Sequence, residues 1–259
     1  MHTRALRVLT SIAVPILLLL AGCAASGELR TESRSVELGG AESVDVTIKM
    51  GVGLLEVAGG ADDLLDAEFA YNVAALRPEV EYQVSGTRGL LTVRQPASPG
   101  VVMTNLTYEW DLRLRDDVPM DLTVELGFGN ADLKLGALSL SSLDIRSGAG
   151  NVTVDLSDSR SLRSLDLAMG AGDVRLDLTG DWQGDLDANI ARGVGNATVR
   201  LPSEVGVRVE AQRGLGTINA SGLGRDGDAY VNDAYGESDV TLHVRVTGGI
   251  GDVTLELGL

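Results

Sequence analysis

Gly-Ala-Gly-Asp-Val-Arg-Leu-Asp-Leu, at residues 170–178, decides the fold because the chain keeps returning to it. Written as Gly-x-Gly, then a polar residue (mostly Asn or Asp), an aliphatic, a polar residue and an aliphatic, the phrase begins at Gly127, Gly148, Gly170, Gly193 and Gly214. The starts are 21, 22, 23 and 21 residues apart. An incomplete copy begins at Gly51 and a complete one at Gly249. Self-similarity at a period of this size marks a stacked-repeat architecture.

On both sides of the glycine pair the residues alternate apolar and polar. Leu165 and Leu167 precede Gly170, and Val174, Leu176 and Leu178 follow it, with Arg175 and Asp177 between them. The other copies keep the columns, as in Leu143/Ile145 with Val152/Val154/Leu156. The Gly214 copy weakens to Ala220 and Gly222. Period-two alternation around a glycine pair predicts two strands flanking one bend. Equal spacing predicts that equivalent strands stack in parallel, each coil of about 22 residues covering roughly 70 Å of chain at strand rise. The expected fold is therefore all-β, a parallel β-solenoid with irregular N-terminal coils and an insertion before the last coil. Aromatics are only 9 of 259 residues, which suits a narrow interior of Val, Leu, Ile and Ala.

The glycines read as bends, where φ is positive or backbones come close. A phosphate-cradling loop needs a helix behind it, and no copy is followed by a helical pattern. The column after each second glycine reads Asn130, Asn151, Asp173, Asn196, Thr217 and Asp252. A mostly amide column predicts a hydrogen-bonded ladder rather than a calcium cage, so no metal is expected.

Residues 1–22 read as a targeting segment. Arg4 and Arg7 are followed by an apolar run too short for a comfortable membrane span, ending in Leu20-Ala21-Gly22-Cys23. That ending resembles the lipobox of bacterial lipoproteins, which implies cleavage before Cys23 and lipid on its sulfur and amino group. Cys23 is the single cysteine, so no disulfide framework exists. Residues 23–35 are expected to be the lipidated cysteine and a tether, and residues 36–259 one domain, placing the protein in the cell envelope outside the cytoplasm, on the outer membrane if the host has two. Removing Arg4 and Arg7 from the 21 Lys and Arg leaves 19 against 37 Asp and Glu, a net charge near −18. Such a balance argues against nucleic acid and against lying flat on anionic lipid.

The stretches Ile48-Lys49-Met50-Gly51-Val52-Gly53 and Gly59-Gly60-Ala61-Asp62-Asp63-Leu64 resemble the opening of the bacterial toast-rack family. Gly227-Asp228-Ala229-Tyr230-Val231-Asn232-Asp233-Ala234-Tyr235-Gly236, running into Val240-Thr241-Leu242 and Gly248-Gly249-Ile250-Gly251, is similar to the end of that domain. A similar domain closes LiaF-like proteins, which act in cell-wall-active antibiotic responses and carry membrane helices where this chain has the lipobox-like ending. The resemblance implies a β-solenoid body without catalytic residues or cofactor.

The residues themselves agree that chemistry is sparse. His243, at an outward-facing position of its strand, is the one histidine after the targeting segment and no spare thiol is available, so Ser-His-Asp and zinc catalysis are not expected. Asp155 and Asp177 share an outward column about 5 Å apart, a spacing that suits a carbohydrate-cleaving carboxylate pair, but Arg175 and Lys134 sit beside them. The favoured reading is a non-enzymatic scaffold or interaction module held to the membrane through Cys23, meeting another envelope protein or a cell-wall component. An accessory role in envelope-stress signalling is the alternative. Between Gly214 and Gly249 the spacing grows to 35 residues, and the excess carries Arg225, Tyr230, Asn232, Asp233 and Tyr235. They read as an end cap or a partner anchor.

Overall fold

Alternation sets the strands and the glycine pairs set their bends. The computed structural model describes residues 27–97 and 105–258, so the targeting segment and Cys23 lie outside the described residues. The N-terminal part contributes β1 (Arg30–Val36), β2 (Ser43–Gly59), β3 (Leu65–Tyr71), β4 (Glu79–Ser85), β5 (Arg88–Arg94) and β6 (Tyr108–Leu114). The regular copies follow as β7 (Met120–Lys134), β8 (Leu140–Ala149), β9 (Val152–Asp155), β10 (Ser164–Ala171), β11 (Val174–Asp177), β12 (Leu186–Val194), β13 (Ala197–Leu201), β14 (Gly206–Leu215) and β15 (Ile218–Ser221). The C-terminal part holds β16 (Gly224–Asp226), β17 (Ala229–Val231), β18 (Thr241–Ile250) and β19 (Val253–Leu257).

Equivalent strands of successive copies pair in parallel and in register. Leu165 of β10 faces Leu143 of β8 and Ala188 of β12, and Leu176 of β11 faces Val154 of β9 and Val199 of β13. Strands before the bend form one row and strands after it a second. Both rows run through the bends of β2 and β7, which pair over their whole length. Their inward Val, Leu, Ile and Ala side chains meet in one core.

The order of layers departs from the order of the chain. β18 and β19 lie between β12/β13 and β14/β15, so the Gly249 copy is sandwiched by the Gly193 and Gly214 copies. An insertion before a final coil was the expectation; the last copy is instead an inner layer. The insertion supplies the reason, because β17 pairs antiparallel with residues 208–210 of β14 and β16 pairs with β17. With the outer edge of β14 covered there, β18 has only the inner edge to join. The weak Gly214 copy is thus the outermost layer, where Ala211, Ile218 and Ala220 are only partly buried.

At the other end, residues 30–35, expected in the tether, belong to a strand. β1 pairs antiparallel with β3 along all seven residues. Its side chains are mostly exposed, so main-chain pairing holds it and no apolar alternation announces it. β3 in turn pairs with β6, and β4 pairs with β5 as an antiparallel hairpin. Aromatics gather here rather than in the regular layers. Phe69 and Trp110 meet edge to face at 5.4 Å, and Tyr108 lies 5.6 Å from Trp110 with its hydroxyl donating to Leu76 O.

Glu32 ties β1 to the turn after β3. Arg77 donates to it from Nε at 2.8 Å and from a terminal nitrogen at 2.7 Å; with Arg34 it outweighs desolvation and holds the carboxyl at about 2. A lowered carboxyl contributes fully above its unfolded value near 4.5 and loses that contribution as pH falls from there toward about 2. The group is partly solvated, so Glu32→Gln should lose less than about 1 kcal/mol at neutral pH. The gap in melting temperature between the two chains should hold steady above about pH 5 and close below it. A gap that widened on acidification would contradict this assignment.

Candidate functional site

Each bend is built the same way, and the features it repeats form the most regular surface of the molecule. The second glycine of every pair has positive φ, from +127° at Gly172 to +148° at Gly53. A Cβ on Gly150 or Gly172 would fall on the carbonyl oxygen of the matching glycine one layer below. Only glycine lets the bends stack this closely.

The polar column beyond them is a ladder in which each side-chain oxygen accepts the next layer's main-chain N–H. Asn130 Oδ1 accepts from Asn151 (2.9 Å), Asn151 from Asp173 (3.1 Å), Asp173 from Asn196 (2.8 Å), Asn196 from Asp252 (3.0 Å) and Asp252 from Thr217 (2.7 Å). The ladder follows the spatial order of layers, with Asp252 between Asn196 and Thr217. Thr217 has no carboxyl or amide oxygen with which to continue it. At the opposite end Gln95 Oε1 closes the corner by accepting from Gly51 N (2.7 Å) and Val52 N (3.0 Å).

The residue between the two glycines points outward. Across the stack these residues pair as Val52, Phe128, Ala149, Ala171, Val194, Ile250 and Leu215, one per layer. Phe128 is 65% exposed, Val194 50%, Ile250 51% and Leu215 67%, so an apolar ridge runs along the corner. Seven layers at strand spacing make it roughly 29 Å long. Exposed apolar rows of this kind mark contact surfaces more often than solvated faces. The signal for this column lies in the sequence, where x is apolar in every copy.

Beside the ridge, a trough of about 830 Å³ crosses the layers where the first glycines carry no side chain and Ala168 and Ala191 face it. Lys49, Glu125 and Arg146 stand at one end, with Lys49 and Glu125 paired at 3.1 Å. Arg192 lies buried in the column that holds Leu126 and Met169 in other layers. Its guanidinium donates to the carbonyls of Gly195, Ile250 and Asp252, and burial lowers its pKa.

The insertion is partly brought together. Tyr230 is only 8% exposed, with the Arg225 guanidinium 4.1 Å from its ring centroid and 2.9 Å from its hydroxyl. Asn232 is buried, accepting from Val207 N (2.9 Å) and donating to Val205 O (2.7 Å). Asp233 is exposed and Tyr235 half-buried in the following turn. Tyr230 and Asn232 thus pack downward and offer little surface to a partner.

The carboxylate pair is bound up locally. Asp155 and Asp177 are neighbours, but Asp155 caps Ser157 N, while Asp177 accepts from Thr179 and pairs with Arg200 at 2.5 Å. That is the arrangement of turn caps, not of an acid facing a nucleophile. His243 is exposed between Asp187 and Arg208 of the flanking strands. Among the described residues no group of three or more His, Cys, Asp or Glu could hold a metal ion, and no helix is long and apolar enough to cross a membrane.

A family model described as the N-terminal domain of toast_rack, DUF2154, matches residues 25–163 and 158–200. Among solved structures, a candidate cell adhesion protein from Clostridium sporogenes is 29% identical with a TM-score of 0.67, over 89% of this chain and 100% of that one. A candidate adhesin from Parabacteroides merdae is 11% identical with a TM-score of 0.37, over 90% of this chain and 97% of that one. No curated protein matches the chain.

Proposed function

Because the chain belongs to the toast-rack family, matched over most of its length, we propose that it is a lipid-anchored, non-enzymatic interaction module of the cell envelope, outside the cytoplasm. In this reading the layers wind as a β-solenoid of about 22 residues per coil and the apolar corner is the face that meets a partner. The observation that carries it is the ridge, a row of outward apolar residues that the core does not need. The likeness in fold to a candidate cell adhesion protein supports a contact role, and the lipobox-like ending at Cys23 supports the anchor. The partner is another envelope protein or a cell-wall component, and a net charge near −18 argues against the anionic lipid surface itself.

Two results test this reading. Cys23→Ser should lose labelling by a palmitate analogue and partitioning into detergent; equal labelling of the variant would sink the anchor. Replacing Phe128, Val194, Ile250 and Leu215 together by Ser should cut the yield of membrane partners at least about tenfold while the melting point falls by less than about 8 °C, since exposed positions typically change stability by no more than about 0.5 kcal/mol each, about 2 kcal/mol for the four. An unchanged set of partners would remove the ridge from the proposal.

A further inference from the structure

The Gly249 layer differs from every other because it enters between two layers made earlier in the chain. Its arch, residues 241–257, pairs on one side with β12 and β13 and on the other with β14 and β15. Gly195 and Ala197 donate to Ile250 O and Asp252 O at 2.9 Å, and Gly251 and Val253 donate to Leu215 O and Thr217 O at 2.8 and 2.9 Å. Leu242, Val244, Val246, Val253 and Leu255 are buried in the core. Arg192 and Asp185 add side-chain contacts, the latter accepting from Thr241 N at 2.8 Å.

Asn232, pinned to residues 205 and 207, fixes the start of the link, and Val240 O, accepting from Gly206 N at 2.9 Å, fixes its end. The eight residues from 233 to 240 then lead into β18. Every bond the arch makes with its slot could equally be made by an arch from another molecule, and exchange of an identical element costs little when the link can span the gap. We propose that the slot between the Gly193 and Gly214 layers is an acceptor site for the C-terminal arch of a second copy of this chain, so that two chains exchange residues 241–257 in a closed, two-fold symmetric dimer. The short link holds each arch near its own slot at an effective concentration in roughly the millimolar range, so the monomer dominates in dilute solution. Exchange takes place when chains fold together at high concentration, before their own arches have entered.

Ala188 and Val244 are direct neighbours across β12 and β18, both buried. Adjacent strands lie about 4.8 Å apart, within reach of a disulfide. In chains carrying Cys23→Ser, one is given Ala188→Cys and the other Val244→Cys. The two are folded together from denaturant at about 1 and about 100 µM, still below the effective concentration of the link. Within one molecule neither cysteine has a partner; in the exchanged dimer they face each other. The expected result is a covalent heterodimer, at least about fivefold above a control pairing Ala188→Cys with Arg175→Cys, rising with concentration. The Cys23→Ser chain without traps, folded at the higher concentration, should show a minor dimer peak in sedimentation, on the order of a tenth of the protein, that survives dilution. A trap yield at the control level at both concentrations, or no dimer peak at all after folding at the higher one, overturns the proposal.

Discussion

Gly150→Ala is expected to lose about 4 kcal/mol or more of stability, enough to remove most of the folded protein. Two costs combine. At φ +131° an alanine is strained by about 1 to 3 kcal/mol. Its Cβ would also fall on the carbonyl of Gly129, which the Gly127 layer cannot withdraw because it is stacked against the Gly51 layer below. Relief requires parting two layers that are paired on both sides of the bend, at Phe128 with Ala149 and at Ala131 with Val152. Gly227→Ala is the contrast. It has φ +59° and nothing within 4 Å of a Cβ, so it should lose only about 1 to 2 kcal/mol. Denaturant titrations of both chains check this, and losses of equal size would mean that close stacking does not explain the glycines.

Leu176→Ala should lose about 2 to 4 kcal/mol, and Arg175→Ala less than about 0.5. Leu176 is buried in β11 with Val154 and Val199 in register above and below, whereas Arg175 is exposed. Main-chain bonds hold neighbouring layers at a fixed spacing, so the cavity left by Leu176 has little room to close and the loss should fall in the upper part of the range. Similar losses from the two substitutions would mean that the inward column has been assigned to the wrong residues.

The candidate site was legible in part. The amide ladder followed from the column of Asn130, Asn151, Asp173 and Asn196, since short polar side chains repeated at one position of a stack have the next layer's N–H within reach. The ridge is harder to read, because the glycines on either side interrupt the alternation that marks inward and outward positions, although Phe128, Val194, Leu215 and Ile250 occupy one slot of the phrase. Tyr230 and Asn232 stand out by residue type, but only packing shows that both turn inward. β1 carried no readable pattern, because an exposed edge strand is held by main-chain bonds that any side chain permits.

By itself the sequence determined which residues face inward, where the chain bends and that the layers are alike. Alternation and obligatory glycines are local properties, set by strand geometry and by the close approach of backbones. The order of the layers was decided only by the tertiary structure. The Gly214 copy does carry smaller inward residues, Ala220 and Gly222 where the Gly249 copy has Leu255 and Leu257, but that weakening does not say which edge the last copy joins. What decides it is which strand edge is still free when each is placed. The β16–β17 hairpin covers the outer edge of β14, and the last copy therefore pairs on the inner one.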